Sequence, residues 1–357
     1  MKDRLVELYS LGWSDWFEQR IECKTGDVIA RVAAVDREQL LLVDHSGFFR
    51  AKLAGSYLHR HRFSHELPCV GDWVCVEKQP VDGFGVVHAL VERRTWLRRK
   101  YAGTVIDYQM IAANIDYVVI VQSCHFDFNL NRLERYLVMV ADGGAESRIL
   151  LTKTDLVQPA ILERQIVEIQ SVGIKTPLFT LSNTTGDGVD DFKRLLLPGK
   201  TYCFVGSSGV GKSTLLNKLM GCEKLETADV SGTGEGLHTT VRRELIRLDG
   251  GALVIDNPGM REFGILAAGE IVGNSFSDIA AISSHCRYRD CSHTNEPGCA
   301  VIEAVNSGEI DQEHFENFLK LRNESAYNQM SYVDKRKKDR AFGRFIKSVQ
   351  KGLKNKC

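Results

Sequence analysis

Apolar and polar positions change their period along the chain. Over 2–22 they recur at helical spacing, with Leu5, Leu8 and Tyr9 sharing one face ahead of Trp13, Trp16 and Phe17. Over 27–93 they shorten into β-branched or apolar runs at 28–35, 40–43, 48–53, 72–76 and 85–91. Turn chemistry separates these runs at Asp36-Arg37, His45-Ser46-Gly47, Val70-Gly71 and Asp82-Gly83. Five short strands in so little chain predict a small closed all-β barrel. The OB-fold is the commonest five-stranded solution, and an SH3-like barrel fits the same pattern.

From about 110 to 265 strand runs (117–122, 148–151, 177–181, 202–205, 244–248, 253–256) alternate with helix-length segments (130–141, 159–172, 212–220). That alternation predicts an α/β domain with a mostly parallel sheet. A helix over 312–328 makes the remainder mostly α. We therefore expect a multidomain chain: an N-terminal extension (1–24), an OB-fold barrel (25–96), an α/β domain (97–265) and a C-terminal metal-binding domain with a basic tail (266–357).

Composition narrows the class. With 43% hydrophobic and 26% charged residues in 357, the chain can bury several cores and is neither disordered nor a coiled coil. Its apolar runs are strand-sized, far short of the roughly 20 residues that span a bilayer. The Met1-Lys2-Asp3-Arg4 start is not an apolar export segment, so we expect a cytosolic protein without a membrane partner. Net charge is zero, but residues 335–357 carry ten basic side chains and one acid. A cationic tail on an acidic body suggests a polyanionic partner. The cation- and aromatic-rich stretches 52–65 and 93–100 suit single-stranded or irregular RNA. Cys23, Cys69, Cys75, Cys124, Cys203, Cys222 and Cys357 follow no spacing, and we expect reduced, buried thiols.

Two clusters carry chemistry. Gly206-Ser207-Ser208-Gly209-Val210-Gly211-Lys212-Ser213, followed by Thr214, fits G-x-x-x-x-G-K-[ST] between a strand and a helix. Backbone N–H groups of such a loop turn toward phosphate oxygens at a helix N-terminus. Lys212 can reach the β and γ phosphates, and Ser213 can coordinate Mg²⁺. Asp256-Asn257-Pro258-Gly259 supplies D-x-x-G, with Asp256 reaching the metal through water and the Gly259 amide facing the γ-phosphate. Between them, Thr239 or Thr240 can close over Mg²⁺. Thr152-Lys153-Thr154-Asp155 approximates the guanine-reading N-K-x-D, and Ser182-Asn183-Thr184 resembles S-A-K. The second cluster, Cys286-x4-Cys291-x-His293-x5-Cys299, is a Cys₃His set for one structural Zn²⁺. Arg287, Tyr288 and Arg289 lie inside it.

Both base-reading elements precede the phosphate loop, whereas ordinary GTPases place them after it. With the barrel in front and the metal knuckle behind, the chain from about 25 to 340 resembles the ribosome-small-subunit-dependent GTPase A (RsgA) family of circularly permuted GTPases. The resemblance implies hydrolysis of GTP to GDP and phosphate, stimulated by the small ribosomal subunit during its late maturation. It also implies binding of that subunit's rRNA and favours His293 over the adjacent His285 as zinc ligand. Two departures stand out: Thr152 in place of Asn, and Asn183 in place of Ala. Met260 follows D-x-x-G where many GTPases carry a water-orienting Gln, so we expect slow intrinsic turnover. His238, matching a histidine of the family, is the candidate catalytic group beside Lys212. We expect a monomer. A P-loop ATPase with a zinc appendage and a non-enzymatic RNA-binding module using GTP structurally are the competing readings.

Overall fold

A computed structural model describes residues 2–37, 39–79, 83–100, 108–222, 243–257, 269–330, 334, 336–337 and 340. The N-terminal helical periodicity resolves into α1 (Lys2–Ser10) and α2 (Asp15–Glu18). Trp13 in the turn between them and Phe17 of α2 pack against Trp73, with ring centroids 4.8 Å apart for Trp13–Trp73.

The barrel strands are β1 (Val28–Val35), β2 (Leu40–Asp44), β3 (Gly47–Leu53), β4 (Trp73–Lys78) and β5 (Gly85–Leu90), with helix α3 (Gly55–Arg60) between β3 and β4. Pairing runs β1–β2–β3–β5–β4 and back to β1, antiparallel except for β3–β5. Strand β1 serves two neighbours because its first half pairs with β4, its second with β2, and a bulge bends it after Val32. The closed circuit decides for an OB-like barrel. Ala30, Val32, Leu42, Val74, Val76 and Val87 fill it.

A two-stranded ribbon, β6 (Trp96–Lys100) with β7 (Tyr108–Ala113), leads out of the barrel where the sequence showed only a cation- and aromatic-rich stretch. Then come β8 (Tyr117–Ser123), α4 (Leu130–Asp142), β9 (Glu146–Thr152), α5 (Pro159–Ser171), β10 (Leu178–Thr180), α6 (Val189–Arg194), β11 (Thr201–Val205), α7 (Lys212–Met220), β12 (Glu244–Arg247) and β13 (Leu253–Asp256). The sheet order is β10-β9-β8-β11-β13-β12. It is parallel except for β12, which folds back on β13 as an antiparallel partner. Ala34 of β1 pairs with Glu244 of β12, so barrel and α/β sheet are continuous.

Arg31 clamps this junction. Its fully buried guanidinium donates to Gly71 O (3.1 Å), Asn114 O (2.9 Å) and Leu11 O. Burial pulls its pKa down to about 10, and Asp116 opposes that fall. Cys23 and Cys75 are joined as a disulfide, contrary to the expectation of reduced thiols. Packing of the 19–27 segment on β4 brings together two cysteines that sequence spacing does not relate.

The C-terminal helices are α8 (Gly269–Ser275), α9 (Ser277–Ser283), α10 (Ala300–Ser307) and α11 (Gln312–Gln329). They share a core of Val272, Phe276, Ile279, Val301, Phe318 and Leu321, which Val138 of α4 joins. His314 of α11 reaches Glu134 of α4 and, at 3.0 Å, Asp278 of α9. Among the described residues no helix is long and apolar enough to cross a membrane.

Candidate active site and metal knuckle

The phosphate loop leaves β11 at Gly206 and enters α7 at Lys212. Gly206 has φ +148°, and a Cβ there would sit 2.2 Å from the Val121 carbonyl of neighbouring β8. Gly211 caps α7 in the left-handed region at φ +93°. The loop thus presses against the sheet and delivers its amides to the N-terminus of a nine-residue helix, a favourable seat for an anion. Lys212 folds back inside it, its Nζ donating to Gly206 O (2.8 Å) and Ser207 O. Burial pulls that ammonium down to about 8, and Asp256 and Asp127 hold it up.

Asp256, at the end of β13, is only 3% exposed, and its Oδ2 is buried without a hydrogen-bond partner. Burial pushes its carboxyl above the usual range, against the attraction of Lys212. A hard divalent cation favours such oxygen donors, usually keeping waters of its own between itself and the protein. The donor set of Ser213 at the start of α7 and this orphaned carboxylate oxygen therefore fits Mg²⁺.

The base-reading elements converge on the same loop. Thr152 Oγ1, at the end of β9, donates to Val210 O at 2.7 Å. Asn183 Nδ2 donates to Gly211 O at 3.0 Å. Ser182 Oγ donates to Asp155 Oδ1 at 2.5 Å and accepts the Thr184 and Thr185 amides at 3.1 Å each. Lys153 adopts φ +59°, which turns the chain sharply after β9. Asp155 is left exposed with its carboxylate oriented. The structure thus brings 152–155, 182–184 and 206–214 together at the carboxyl ends of the strands, the usual ligand position in an open α/β sheet. His238, Thr239, Thr240, Gly259 and Met260 lie outside the described residues.

Two residues at this site stand in no motif. Asp127, in the loop after β8, and Lys212 are within electrostatic reach of one another. Arg132, in the first turn of α4, donates to Asp127 Oδ1 at 2.6 Å and to Ser207 Oγ. No motif in the sequence marked them; the pairing of β8 with β11 in the sheet brings the loop after β8 to the phosphate loop.

At the knuckle, one ligand atom from each of Cys286, Cys291, His293 and Cys299 lies within 4.8 Å of the others. His293 Nδ1 is 3.4 Å from Cys299 Sγ and 3.7 Å from Cys286 Sγ, and the two sulfurs are 3.9 Å apart. Tetrahedral Zn²⁺ with bonds of about 2.3 Å to sulfur separates its ligands by about 3.8 Å, so the set fits this metal. His285 is exposed beside Ser284, outside the cluster. Tyr288 is exposed, with the Arg287 guanidinium 5.6 Å from its ring centroid.

The expected RNA-facing stretches divide. Within 52–65, Tyr57 is a core residue whose hydroxyl donates to Glu66 O at 2.8 Å, while Phe63 is exposed, as is Phe48 on β3. The exit cations are engaged internally: Arg93 with Asp72, Arg94 with Asp116, Arg98 with Asp142, and Lys100 with Asn328.

A parallel nucleotide-binding sheet with its base-reading strands ahead of the phosphate loop defines a circularly permuted P-loop GTPase. Comparison with known proteins gives the same class. A family model described as RsgA GTPase matches residues 90–266. The small ribosomal subunit biogenesis GTPase RsgA of Opitutus terrae is 38% identical over 334 residues, covering 90% of each chain. RsgA 2 of Lactiplantibacillus plantarum is 36% identical over 341 residues, covering 95% of each. The crystal structure of YjeQ from Thermotoga maritima superposes with a TM-score of 0.64 at 25% identity, over 84% of this chain and 99% of its own. The chain belongs to the RsgA family and is a GTP hydrolase.

Proposed function

We propose that this GTPase works on the small ribosomal subunit, hydrolysing GTP to GDP and phosphate while bound to rRNA late in that subunit's maturation. The observation that carries the reading is the pair of hydrogen bonds, Thr152–Val210 and Asn183–Gly211, that fastens the guanine-reading loops to the phosphate loop. The names of the relatives supply the ribosomal context.

In this reading Asp155, steadied by Ser182, accepts hydrogen bonds from the guanine edge and Lys153 covers the base. Amides of 206–214 and Lys212 hold the phosphates. Ser213, Thr239 or Thr240, and Asp256 through water would hold Mg²⁺, which when bound offsets charge on the β and γ phosphates. Cys286, Cys291, His293 and Cys299 would hold a structural Zn²⁺, since all four positions are protein ligands. Exposed Phe48, Phe63 and Tyr288 offer rings to unpaired bases, and the basic tail offers cations to phosphates. We place the protein in the cytosol as a monomer. Slow turnover by the free enzyme follows from Met260 standing in the water-orienting position, with His238 as candidate substitute.

The test is GTP turnover with and without purified small subunits, on wild type and Lys212→Ala. Stimulation in wild type that is lost in the variant is expected. Equal rates with and without subunits would remove the ribosomal assignment.

A further inference from the structure

We infer that Asp127 and Arg132 form an internal charge pair of the hydrolytic site, in which Arg132 supplies positive charge to the γ-phosphate as its bond breaks and Asp127 withholds that charge in the resting enzyme. Lys212 marks where the β and γ phosphates lie. Two carboxylates influence its ammonium, Asp256 and Asp127. Asp256 belongs to D-x-x-G; Asp127 belongs to no nucleotide motif, yet it is drawn into the same electrostatic neighbourhood. It also brings a cation with it. Arg132 Nη1 bonds both the Asp127 carboxylate and the hydroxyl of Ser207 in the phosphate loop, and its Nη2 donates to Asp127 O at 3.2 Å.

The backbone behind this arginine is fixed, while its side chain is part-exposed and held only by the polar contacts to Asp127 and Ser207. Its amide donates to the N-capping Asn129 Oδ1 at 2.8 Å. Neighbours on α4 are tied to the C-terminal helices through Asn131–Glu313, Glu134–His314 and Arg135–Glu324. The Arg132 side chain is 31% exposed and that of Asp127 18%, so the guanidinium can turn about its own torsions without unfolding anything. A triphosphate brings negative charge that competes with one carboxylate for the arginine. In the reaction, water oxygen bonds the γ-phosphorus and the bond to the β–γ bridging oxygen breaks. The electron pair leaves on GDP, and both protons of the water end on inorganic phosphate as H2PO4−, which can then lose one to solvent. Arg132 exchanges no proton; it stabilises charge on the phosphoryl oxygens, a role for which arginine is suited by its fixed charge and planar donors.

The experiment uses the full chain: single-turnover GTP hydrolysis without ribosomes, and fluorescence titration of N-methylanthraniloyl-GDP with and without aluminium fluoride, the transition-state mimic. Arg132→Ala is expected to slow hydrolysis at least about tenfold and to weaken binding of GDP with fluoroaluminate by a similar factor. Affinity for GDP alone should stay within about twofold, and Arg132→Lys should recover part of the rate. Asp127→Asn is expected to raise turnover severalfold, and the double variant should behave as Arg132→Ala. Unchanged hydrolysis and fluoroaluminate binding in Arg132→Ala would overturn the inference. So would parallel loss of GDP affinity, which would reduce Arg132 to a prop for Ser207, or slower turnover in Asp127→Asn.

Discussion

The hydroxyl of Thr152 donates to the carbonyl of Val210 across 58 residues of sequence, at 2.7 Å. The last residue of β9 therefore fixes the phosphate loop, three residues before Asp155, the proposed reader of the base. Thr152→Val keeps the shape but leaves a buried carbonyl unpaired, a loss of about 1–2 kcal/mol. We expect GTP affinity to fall about tenfold, read by titration with a fluorescent GTP analogue. Thr152→Asn, which can restore a donor, should bind within a few-fold of wild type. A valine variant with wild-type affinity would show that this bond does not shape the pocket.

Asp155 is exposed and oriented by Ser182. Asp155→Asn exchanges an acceptor for a donor where guanine presents N–H groups, so preference should move from guanosine to xanthosine nucleotides. Sites that hydrogen-bond a ligand's polar edge discriminate strongly, and a shift of at least about a hundredfold in the ratio of affinities is expected. Competition calorimetry with GDP and xanthosine diphosphate measures it; an unaltered ratio would displace Asp155 from the base.

His314 gives the junction of α4 with the C-terminal helices a pH dependence. Burial opposes its charge, but the hydrogen bonds it donates to Asp278 and Glu134, with the attraction of those carboxylates, outweigh burial and raise its pKa from 6.5 to about 9. The folded state holds the proton more tightly than the unfolded chain. Its stabilisation is thus complete below pH 6.5 and is lost as pH climbs toward about 9. We expect the melting temperature of the C-terminal transition to fall across that window in wild type and to vary much less in His314→Gln. Parallel pH profiles for the two proteins would show that the imidazole carries no charge there.

Cys299 is 2% exposed and belongs to the same core as Val301 and Phe318, so metal and packing support each other. Atomic emission should find one zinc per chain, lost in Cys299→Ser. Limited proteolysis should then cut the C-terminal helices, while affinity for GDP changes less than about twofold. Retained metal in that variant would remove Cys299 from the ligand set.

The phosphate loop and the knuckle were legible because their residues are near neighbours in sequence and their spacing is itself the chemistry. Thr152 and Asn183 looked like losses from a motif. Only the fold reveals that each donates to a carbonyl of the phosphate loop, because the acceptors come from another strand's turn. Asp127 and Arg132 escaped for a similar reason: Ser207 lies 75 residues beyond Arg132. The basic stretch 93–100 misled in the opposite sense. Its cations invite an external polyanion until Asp72, Asp116 and Asp142 are brought alongside, and the ribbon that follows Arg93 and Arg94 went unseen with them.

Arg31 draws its acceptors from the N-terminal turn, the barrel and the segment entering β8. Rocking any of the three away would strand a positive charge in the interior, at a cost of several kcal/mol. Opening the joint beneath Arg31 is therefore costly, and a partner that touches both barrel and nucleotide sheet meets them held together by one buried cation. Changes of grip during the hydrolysis cycle would come more cheaply from the loops and the far helical end.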